Sequence, residues 1–307
     1  MAVSIVALRA AGLGDLLTAV PALRVLQDYS PPGWAQRPTE VVVAAPRWLH
    51  PVVDLIPGVT RAADVAGLRP LVRERPMLAV NLHGRGPQSH EALMSVRPRE
   101  LLAFQARGVW RTGPAWFEEE PERVRWCRLL RWVGLRADPS RLDIALPDIL
   151  PAMPGAVVLH LGATGSARSW PAERFAEVAA HLVAVDEHEV VLTGTSHDLV
   201  AARLVAEHAR LRRGRTLVDR LSLPQLVAQV ASSRLVVSAD TGVAHLASAL
   251  GVPSIVVFGP ESPRRWGPPP LDRHRVLRAP GTAPTADQVP ARAVIHHAED
   301  LLQSVSV

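Results

Sequence analysis

The sequence of 307 residues contains no lysine and a single cysteine, and only 4% of its residues are aromatic. Without lysine it cannot form a phosphate-binding loop that ends in Gly-Lys-Ser/Thr. Cys127 has no second cysteine to pair with, so no disulfide forms within the chain, which is typical of a reducing compartment. No apolar run approaches the roughly 18 residues of a membrane-spanning helix. The N-terminus has no basic residue before its apolar stretch, so we expect no signal peptide and a cytoplasmic protein.

All 34 basic residues are arginine, and against 29 acidic residues they leave a formal net charge of +5. Residues 1–150 hold +4 of this excess. The arginines are scattered among carboxylates, and eight tryptophans with five other aromatic residues offer little stacking surface, so we expect no nucleic-acid partner. A coding bias toward arginine explains the composition, although the first half is the part that would face an anionic partner.

Short β-branched runs alternate with longer amphipathic stretches, a pattern typical of α/β proteins with parallel sheets. A proline-rich linker at 146–155 predicts two Rossmann-like domains facing a cleft, at 1–150 and 151–307. Ligands of such sheets bind beyond the carboxyl ends of the strands. In the first half the predicted strands are 3–8, 41–45 and 78–82, and the predicted helices are 15–28, 91–103 and 123–133. In the second half the predicted strands are 156–161, 189–192, 235–238 and 254–258, and the predicted helices are 172–185, 197–208, 223–231, 243–250 and one or two within 285–304.

The loop after the first predicted strand begins at Arg9 and reads RAAGLGDLL. Gly12 and Gly14 predict a tight turn with a close backbone approach. A dinucleotide fingerprint needs a third glycine where Leu17 stands, and the carboxylate of Asp15 would repel a pyrophosphate at the start of the helix. Asp15 is therefore a helix N-cap, a general base, or both.

A second loop of small residues runs from His160 to Pro171. Thr164 can offer an anion its hydroxyl and backbone N–H, and Arg168 can offer a bidentate guanidinium. An ordinary surface connection, with Arg168 in solvent and Trp170 packed as a staple, fits the same residues equally well.

The third segment, 236–260, is a strand that runs directly into a helix whose first turn holds Asp240, Thr241 and Gly242. The N–H groups at the start of that helix form an anion site. Asp240 either caps the helix or accepts hydrogen bonds from a sugar hydroxyl. His245, one turn further on, either points into the same pocket or is a half-buried histidine bonded to a carbonyl.

The loop at 81–90 contains His83, Arg85 and His90, which can meet an anionic saccharide, although a solvated loop explains them as simply. The sequence has no Asp-x-Asp, Cys-x-x-Cys, His-Glu-x-x-His or Gly-x-Ser-x-Gly motif. Metal–diphosphate, metalloprotease and serine-hydrolase chemistry therefore lack support.

Taken together, these segments resemble glycosyltransferase family 9, the heptosyltransferase-like enzymes. The opening LRAAGLGDLLTAVPALR at 8–24 is similar to the start of that family, and PGV at 57–59 to its next turn. RSWPAERF at 168–175 resembles a Lys-x-Trp-Pro-x-Glu motif. SADTGVAHLASALGVP at 238–253, followed by FGP at 258–260 and WGP at 266–268, resembles the most distinctive stretch of the family. The resemblance covers nearly the whole chain in the right order.

The resemblance implies a GT-B fold in which the N-terminal domain binds the acceptor and the C-terminal domain the nucleotide sugar, with the terminal helix packed back on the N-terminal domain. It implies an inverting, metal-independent transfer of a heptose-like sugar from a nucleoside diphosphate donor, with ADP as the favoured nucleotide and no cofactor. The acceptor is a saccharide or cell-envelope glycan. Asp15 matches the general base, with Gly12, Gly14, His83 and Arg85 on the acceptor side. The donor side comprises Thr164, Arg168, Asp240, Thr241, Gly242 and His245. Arg168 stands where the family has a lysine, which keeps the charge but changes its shape.

We expect a monomer with no bound metal and no transmembrane segment, which meets a glycolipid acceptor at the inner face of the membrane through a peripheral contact. Two other functions fit the sequence. A nucleotide-sugar 2-epimerase of the same architecture would need no acceptor. A degenerate glycosyltransferase fold would only bind; Asp15 and Asp240 are both intact, which argues against decay, whereas arginine at position 168 leaves room for it.

Overall fold

The computed structural model describes residues 3–30, 38–72, 75–163, 165, 167–184 and 188–304. It divides into two compact units, an N-terminal unit (Met1–Ala145) and a C-terminal unit (Leu146–Val307). Each unit is built on its own five-stranded sheet, and the described strands of both sheets pair in parallel. None of the described helices combines the length and the apolar character that crossing a bilayer requires.

The N-terminal unit places its strands in the order β3-β2-β1-β6-β7, with the short antiparallel pair β4 and β5 beside the sheet. Strand β1 lies in the middle because its VSIVAL sequence is almost wholly buried between β2 and β6. The strands are β1 (Val3–Leu8), β2 (Thr39–Ala44), β3 (Arg61–Ala63), β4 (Val65–Ala66), β5 (Arg69–Pro70), β6 (Leu78–Asn81) and β7 (Glu100–Leu102). The helices are α1 (Leu13–Leu23), α2 (His50–Val53), α3 (Gln88–Met94) and α4 (Glu122–Arg131), with 3₁₀ turns at Leu26–Asp28 and Arg47–Leu49.

The C-terminal unit has the strand order β12-β11-β10-β8-β9. Its described strands are β8 (Val157–His160), β9 (Val190–Thr193), β10 (Leu235–Ala239), β11 (Ser254–Phe258) and β12 (His274–Arg278). Its helices are α5 (Ala172–Ala184), α6 (Leu199–His208), α7 (Leu223–Ala231), α8 (Gly242–Ala249), α9 (Pro263–Trp266) and α10 (Ala291–Ser304), with 3₁₀ turns at Ser196–Asp198 and Ala286–Gln288. Helix α10 packs on α5 and on the central strands of this unit; its predicted packing on the N-terminal domain stays a prediction.

Both strand orders reverse direction at one point, which is where parallel α/β sheets bind ligands. In the N-terminal unit the reversal lies between β1 and β6, and in the C-terminal unit between β8 and β10. Loops from neighbouring strands diverge there to opposite faces of the sheet and open a crevice at the carboxyl ends. The residues that follow these four strands are therefore the place to look for a site.

Two of the predicted elements differ from the structure. The helix predicted near 91–103 is present but lies earlier in the chain, because α3 ends at Met94 and the chain then forms the edge strand β7, whose three residues pair with β6. The helix predicted to start at Asp15 begins at Leu13 and gives way to a 3₁₀ turn after Leu23. Strands β3 and β12 were not predicted, since their sequences RAA and HRVLR lack an apolar run.

Candidate functional site

A buried arginine occupies the reversal point of the N-terminal unit. Arg9 follows β1 directly and is 1% exposed. Its Nη1 donates to the carbonyl oxygens of Leu82 (2.6 Å) and His83 (3.3 Å), in the segment that follows β6. Its Nε and Nη2 reach α1, donating to the Asp15 carbonyl oxygen (2.8 Å) and to Asp15 Oδ1 (3.1 Å). One guanidinium therefore joins the two loops at the reversal point, an arrangement that suits its planar fork of donors.

Asp15 presents a partly exposed carboxylate at this point. Its side chain is 35% exposed, with Oδ1 held by Arg9 and Oδ2 accepting the backbone N–H of Gly12 at 3.2 Å. Because α1 begins at Leu13, Asp15 is the third helical residue and Gly12 is the N-cap. The interpretation of Asp15 as the N-cap is therefore wrong, although it does satisfy a backbone donor at the helix start.

Gly12 and Gly14 lie at the start of helix α1, Gly12 as its N-cap and Gly14 inside it. Gly12 is extended, with φ −78° and ψ 177°, and Gly14 is within the first turn of α1. Neither is among the glycines with positive φ. A Cβ at Gly12 would lie 3.4 Å from Asp15 Oδ2, which is ordinary contact.

His83 shares the electrostatic environment of Arg9 and Asp15. Burial lowers the pKa of His83, the charge of Arg9 lowers it further, and Asp15 partly opposes the shift. Its Nδ1 is buried, and no described residue forms a hydrogen bond with it. An imidazole whose Nδ1 has no hydrogen-bond partner among the described residues thus shares the electrostatic environment of the Asp15 carboxylate, and its role on the acceptor side stays a prediction.

The other two residues of the loop at 81–90 have structural partners. Arg85 is 68% exposed and forms an ion pair with Glu118 at 2.6 Å. His90 is fully buried, with Nε2 2.8 Å from the carbonyl oxygen of Phe104 and Nδ1 3.2 Å from Asn81 Nδ2. The interpretation of His90 as an acceptor contact is therefore wrong, and Arg85 remains accessible from solvent.

Arg168 and Asp240 form an ion pair at the reversal point of the C-terminal unit. Arg168 follows β8 and Asp240 follows β10, and Arg168 Nη2 donates to Asp240 Oδ2 (3.1 Å) and to the Asp240 carbonyl oxygen (3.0 Å). The Asp240 side chain is 6% exposed and that of Arg168 is 35% exposed. The structure thus brings together two residues that are 72 positions apart and were both predicted from the sequence. Thr164, the third predicted residue of this group, lies outside the described residues.

The start of α8 adjoins this pair. Thr241 is the N-cap and Gly242 the first helical residue, so the first-turn N–H groups have no partner within the helix. The hydroxyl of Thr241 makes no capping hydrogen bond, and neither it nor Arg168 Nε has a partner among the described residues, although both atoms are buried. Buried polar atoms are usually satisfied, so these atoms have capacity to bind a ligand.

His245 is half-buried on the next turn of α8. Its ring lies perpendicular to that of Trp266, with 6.2 Å between the ring centroids. Trp266 itself packs on a small apolar cluster that contains Ala244 and Phe258. Trp266, the first residue of the WGP motif at 266–268, is thus a ring contact of His245.

Backbone contacts fix the loop that contains Arg168. The N–H of Ala286 donates to the Ala167 carbonyl oxygen at 3.0 Å, and Trp170 Nε1 donates to the Val289 carbonyl oxygen at 2.9 Å. Gly259, at the end of β11, allows this packing, since a Cβ there would lie 2.3 Å from the Ala167 carbonyl oxygen. The predicted role of Trp170 as a packing residue is confirmed, with 3% exposure.

Sequence reasoning missed two buried groups at the strand ends. The sequence predicted no contact for Arg9, which was only the first residue of a motif. An arginine directly after six strand residues is nevertheless a usable signal for a buried contact. His160 ends β8, with Nδ1 3.0 Å from Thr193 Oγ1, and burial lowers its pKa to about 4. Among the described residues no group of three or more His, Cys, Asp or Glu side chains is arranged to hold a metal ion.

Comparison with known proteins supports the resemblance to glycosyltransferase family 9. Residues 138–290 match the sequence model of glycosyltransferase family 9 (heptosyltransferase). Lipopolysaccharide heptosyltransferase 2 of Escherichia coli K12 is 33% identical over 118 residues, which is 37% of this chain and 33% of that protein. The matched segment thus spans about a third of the length of the curated relatives.

Solved structures match almost the whole chain at lower identity. A family 9 glycosyltransferase from Veillonella parvula superimposes with a TM-score of 0.81 at 20% identity, covering 98% of this chain and 97% of that one. The ADP-heptose lipopolysaccharide heptosyltransferase II of E. coli gives a TM-score of 0.76 at 21% identity, covering 99% and 100%.

These similarities confirm the predicted fold class, two Rossmann-like domains of the GT-B type. The resemblance to glycosyltransferase family 9 is also confirmed, and residues 138–290 are the part of the chain that matches the sequence model of this family.

Proposed function

We propose that the protein transfers a heptose-like sugar from a nucleoside diphosphate donor to a hydroxyl group of a saccharide or cell-envelope glycan. In this proposal the transfer inverts the anomeric carbon and needs no metal ion. The observation that carries the proposal is the cluster of Arg168, Asp240 and Thr241 at the reversal point of the C-terminal unit, inside the segment that matches the family. Relatives named heptosyltransferases support the choice of sugar.

The donor cluster is suited to a diphosphate leaving group. When the bond between the anomeric carbon and the diphosphate oxygen breaks, its electron pair leaves with the nucleoside diphosphate and negative charge grows there. The guanidinium of Arg168 and the N–H groups at the start of α8 supply fixed positive potential for that charge. Asp240 is released from Arg168 when the guanidinium turns to the diphosphate, and its carboxylate then accepts hydrogen bonds from the donor sugar.

Asp15 is the proposed base. A partly exposed carboxylate can remove the proton of the acceptor hydroxyl while the acceptor oxygen bonds to the anomeric carbon from the face opposite the diphosphate. His83, with its unused ring nitrogen, and Arg85 on the surface would contact the acceptor. Arg9 is already bonded to Asp15 Oδ1, so the carboxylate is oriented before any substrate arrives.

An ADP-linked donor is the first to test, because a related heptosyltransferase of E. coli was crystallised with ADP. Nucleoside diphosphate release is measured with ADP-, UDP- and GDP-linked sugars, with and without a heptose-containing glycolipid acceptor, in buffer with EDTA. We expect acceptor-dependent release with the ADP-linked sugar and no loss in EDTA. Donor turnover without acceptor, yielding the 2-epimer, would assign the epimerase function instead.

The base is tested by Asp15→Asn against Asp28→Asn, an exposed aspartate of the same unit. We expect kcat to fall by about 10²–10⁴-fold in Asp15→Asn, the range typical of a lost general base. Nucleotide affinity, measured by calorimetry, should stay unchanged in both variants. Full turnover in Asp15→Asn would remove Asp15 from the role of base.

A further inference from the structure

A shallow groove lies at the open edge of the N-terminal sheet, away from the residues assigned above. It has a volume of about 340 Å³ and lies between β7 and two aromatic segments. Leu101 and Leu102 of β7 form its floor, and Trp110, Trp132 and Val133 form its walls. This apolar groove has no role in the proposed transfer.

Two features fix the walls of the groove. The chain folds back at 106–110, where Ala106 and Trp110 form an antiparallel bridge. At the other wall α4 ends, and the two apolar residues after it point outward, with Trp132 57% exposed and Val133 40% exposed. A tryptophan and a valine side by side in solvent are costly unless another surface covers them.

Arg99 lines this groove, and further exposed arginines flank the other lining residues along the chain. The three segments that form it, 97–103, 107–113 and 131–136, contain six arginines and one acidic residue, an excess of +5 that equals the net charge of the whole chain. All six arginines are exposed. The acidic residue is Glu100, whose Oε2 accepts a hydrogen bond from the Tyr29 hydroxyl at 2.8 Å. The three segments that contribute to this edge of the fold therefore carry an excess of arginine.

We propose that this groove, with its rim of arginines, docks the protein on the surface of an anionic phospholipid bilayer. Tryptophan prefers the boundary between the headgroups and the acyl chains, where its ring is apolar and its N–H can find a partner. Arginine binds phosphate with a planar fork of donors, and clustered basic residues are attracted to anionic leaflets. Trp132 and Val133 enter the headgroup layer, and the arginines contact lipid phosphates around them.

Charge and geometry favour a bilayer over a protein partner. A second copy of this chain would bring the same excess of +5 against itself, because a two-fold interface pairs identical patches. An added peptide strand would find only three residues of β7 to pair with. A bilayer surface needs no residue-by-residue pairing with β7, and its phosphates can contact arginines on three separate segments at once.

The test is co-sedimentation of the whole protein with vesicles. We expect binding to vesicles of phosphatidylcholine with 30–40% phosphatidylglycerol, roughly the anionic content that gives a clear surface potential, and weak binding to pure phosphatidylcholine. Raising the salt from about 0.1 to 1 M should reduce binding because it screens the charges.

Two pairs of variants locate the contact. Trp132→Ala should lower the partition coefficient roughly tenfold through lost apolar burial, whereas Trp48→Ala, with a tryptophan of 55% exposure elsewhere in the unit, should not. The triple variant R99Q/R111Q/R136Q should lower it by about fivefold for each arginine. The matched variant R220Q/R273Q/R292Q removes three exposed arginines of the C-terminal unit and should bind like wild type.

Three results would overturn the proposal. The first is equal binding to anionic and neutral vesicles, and the second is equal loss in both members of either pair. The third is a dimer in sedimentation velocity that disappears in Trp132→Ala, since this would assign the groove to a second copy of the chain. Sedimentation does not depend on turnover, so the outcome is independent of the proposed transfer.

Discussion

Replacing Arg9 by methionine removes the contact that joins the two loops at the N-terminal reversal point. Arg9 is 1% exposed and its guanidinium donates to carbonyl oxygens on both sides of the sheet reversal, as well as to Asp15 Oδ1. Its plane also lies over the ring of Trp126, 4.7 Å from the ring centroid. Methionine fills a similar volume without a charge, so the substitution mainly deletes the hydrogen bonds and the ion pairs with Asp15 (3.1 Å) and Glu122 (3.9 Å).

The structure sets the size of the effect. Removing one partner of a buried ion pair costs about 3–5 kcal/mol. Asp15 is partly exposed and can take water in place of Arg9, so we expect the lower end, about 3 kcal/mol. For a unit of this size each kcal/mol lowers Tm by about 2–4 °C, which predicts a fall of about 6–12 °C for the transition of the N-terminal unit.

Calorimetry with a matched variant tests this reasoning. Arg61→Met removes an exposed pair in the same unit, with Arg61 49% exposed beside Glu40, and should change Tm by no more than about 2–4 °C. In Arg9→Met the pKa of His83 should rise, because the charge of Arg9 helps to lower it; NMR titration of the histidine ring measures this. A Tm loss no larger than that of Arg61→Met, together with an unchanged pKa of His83, would refute the account.

Three further predictions concern the C-terminal unit. Arg168→Ala should weaken ADP binding by about 10–100-fold in calorimetry, the size of a lost charge-assisted hydrogen bond, and unchanged affinity would count against the assignment of Arg168. Gly259→Ala should lower both Tm and ADP affinity, because the added Cβ would displace the carbonyl oxygen of Ala167 and with it the loop that contains Arg168. The control is Gly84→Ala, where the added Cβ meets nothing within 4 Å and should change neither Tm nor ADP affinity. Burial lowers the pKa of His160 to about 4 from 6.5, so the unfolded chain binds more protons than the folded one between these values. Through His160 alone, stability should therefore fall by roughly 3 kcal/mol as the pH drops from 6.5 towards 4. Burial also lowers the pKa of His274 to about 4, so His160→Gln should make the profile measured by thermal melts less steep without flattening it, and an unchanged slope would assign the loss to other groups.

The sequence predicts the C-terminal unit better than the N-terminal one for a physical reason. Strand β11 and helix α7 occur at the predicted bounds, because each is a continuous apolar or amphipathic run with glycine or proline nearby. Strands β7 and β12 exist only because a neighbouring strand offers its edge. Their sequences, ELL and HRVLR, leave no clear period, so pattern reasoning cannot find them.

The predicted site residues also divide into those that a local pattern places and those that only the strand order brings together. Asp240 and Thr241 stand where a strand runs into a helix, and this local pattern suffices to place them at the helix start. The ion pair between Arg168 and Asp240 and the contact of Arg9 with Leu82 join residues more than 70 positions apart. Distances of that kind follow from the strand order, which no local pattern contains.

The turn at 286–289 has a practical consequence for engineering. It lies about 120 positions downstream of the arginine loop, yet its backbone holds that loop through Ala286 and Val289. Deleting the last twenty or so described residues would therefore release the loop that contains Arg168 as well as damage the core. A chimera that takes its final helix from a relative should keep the turn at 286–289 of this chain. Otherwise the contacts of Ala286 and Val289 with the arginine loop would be lost.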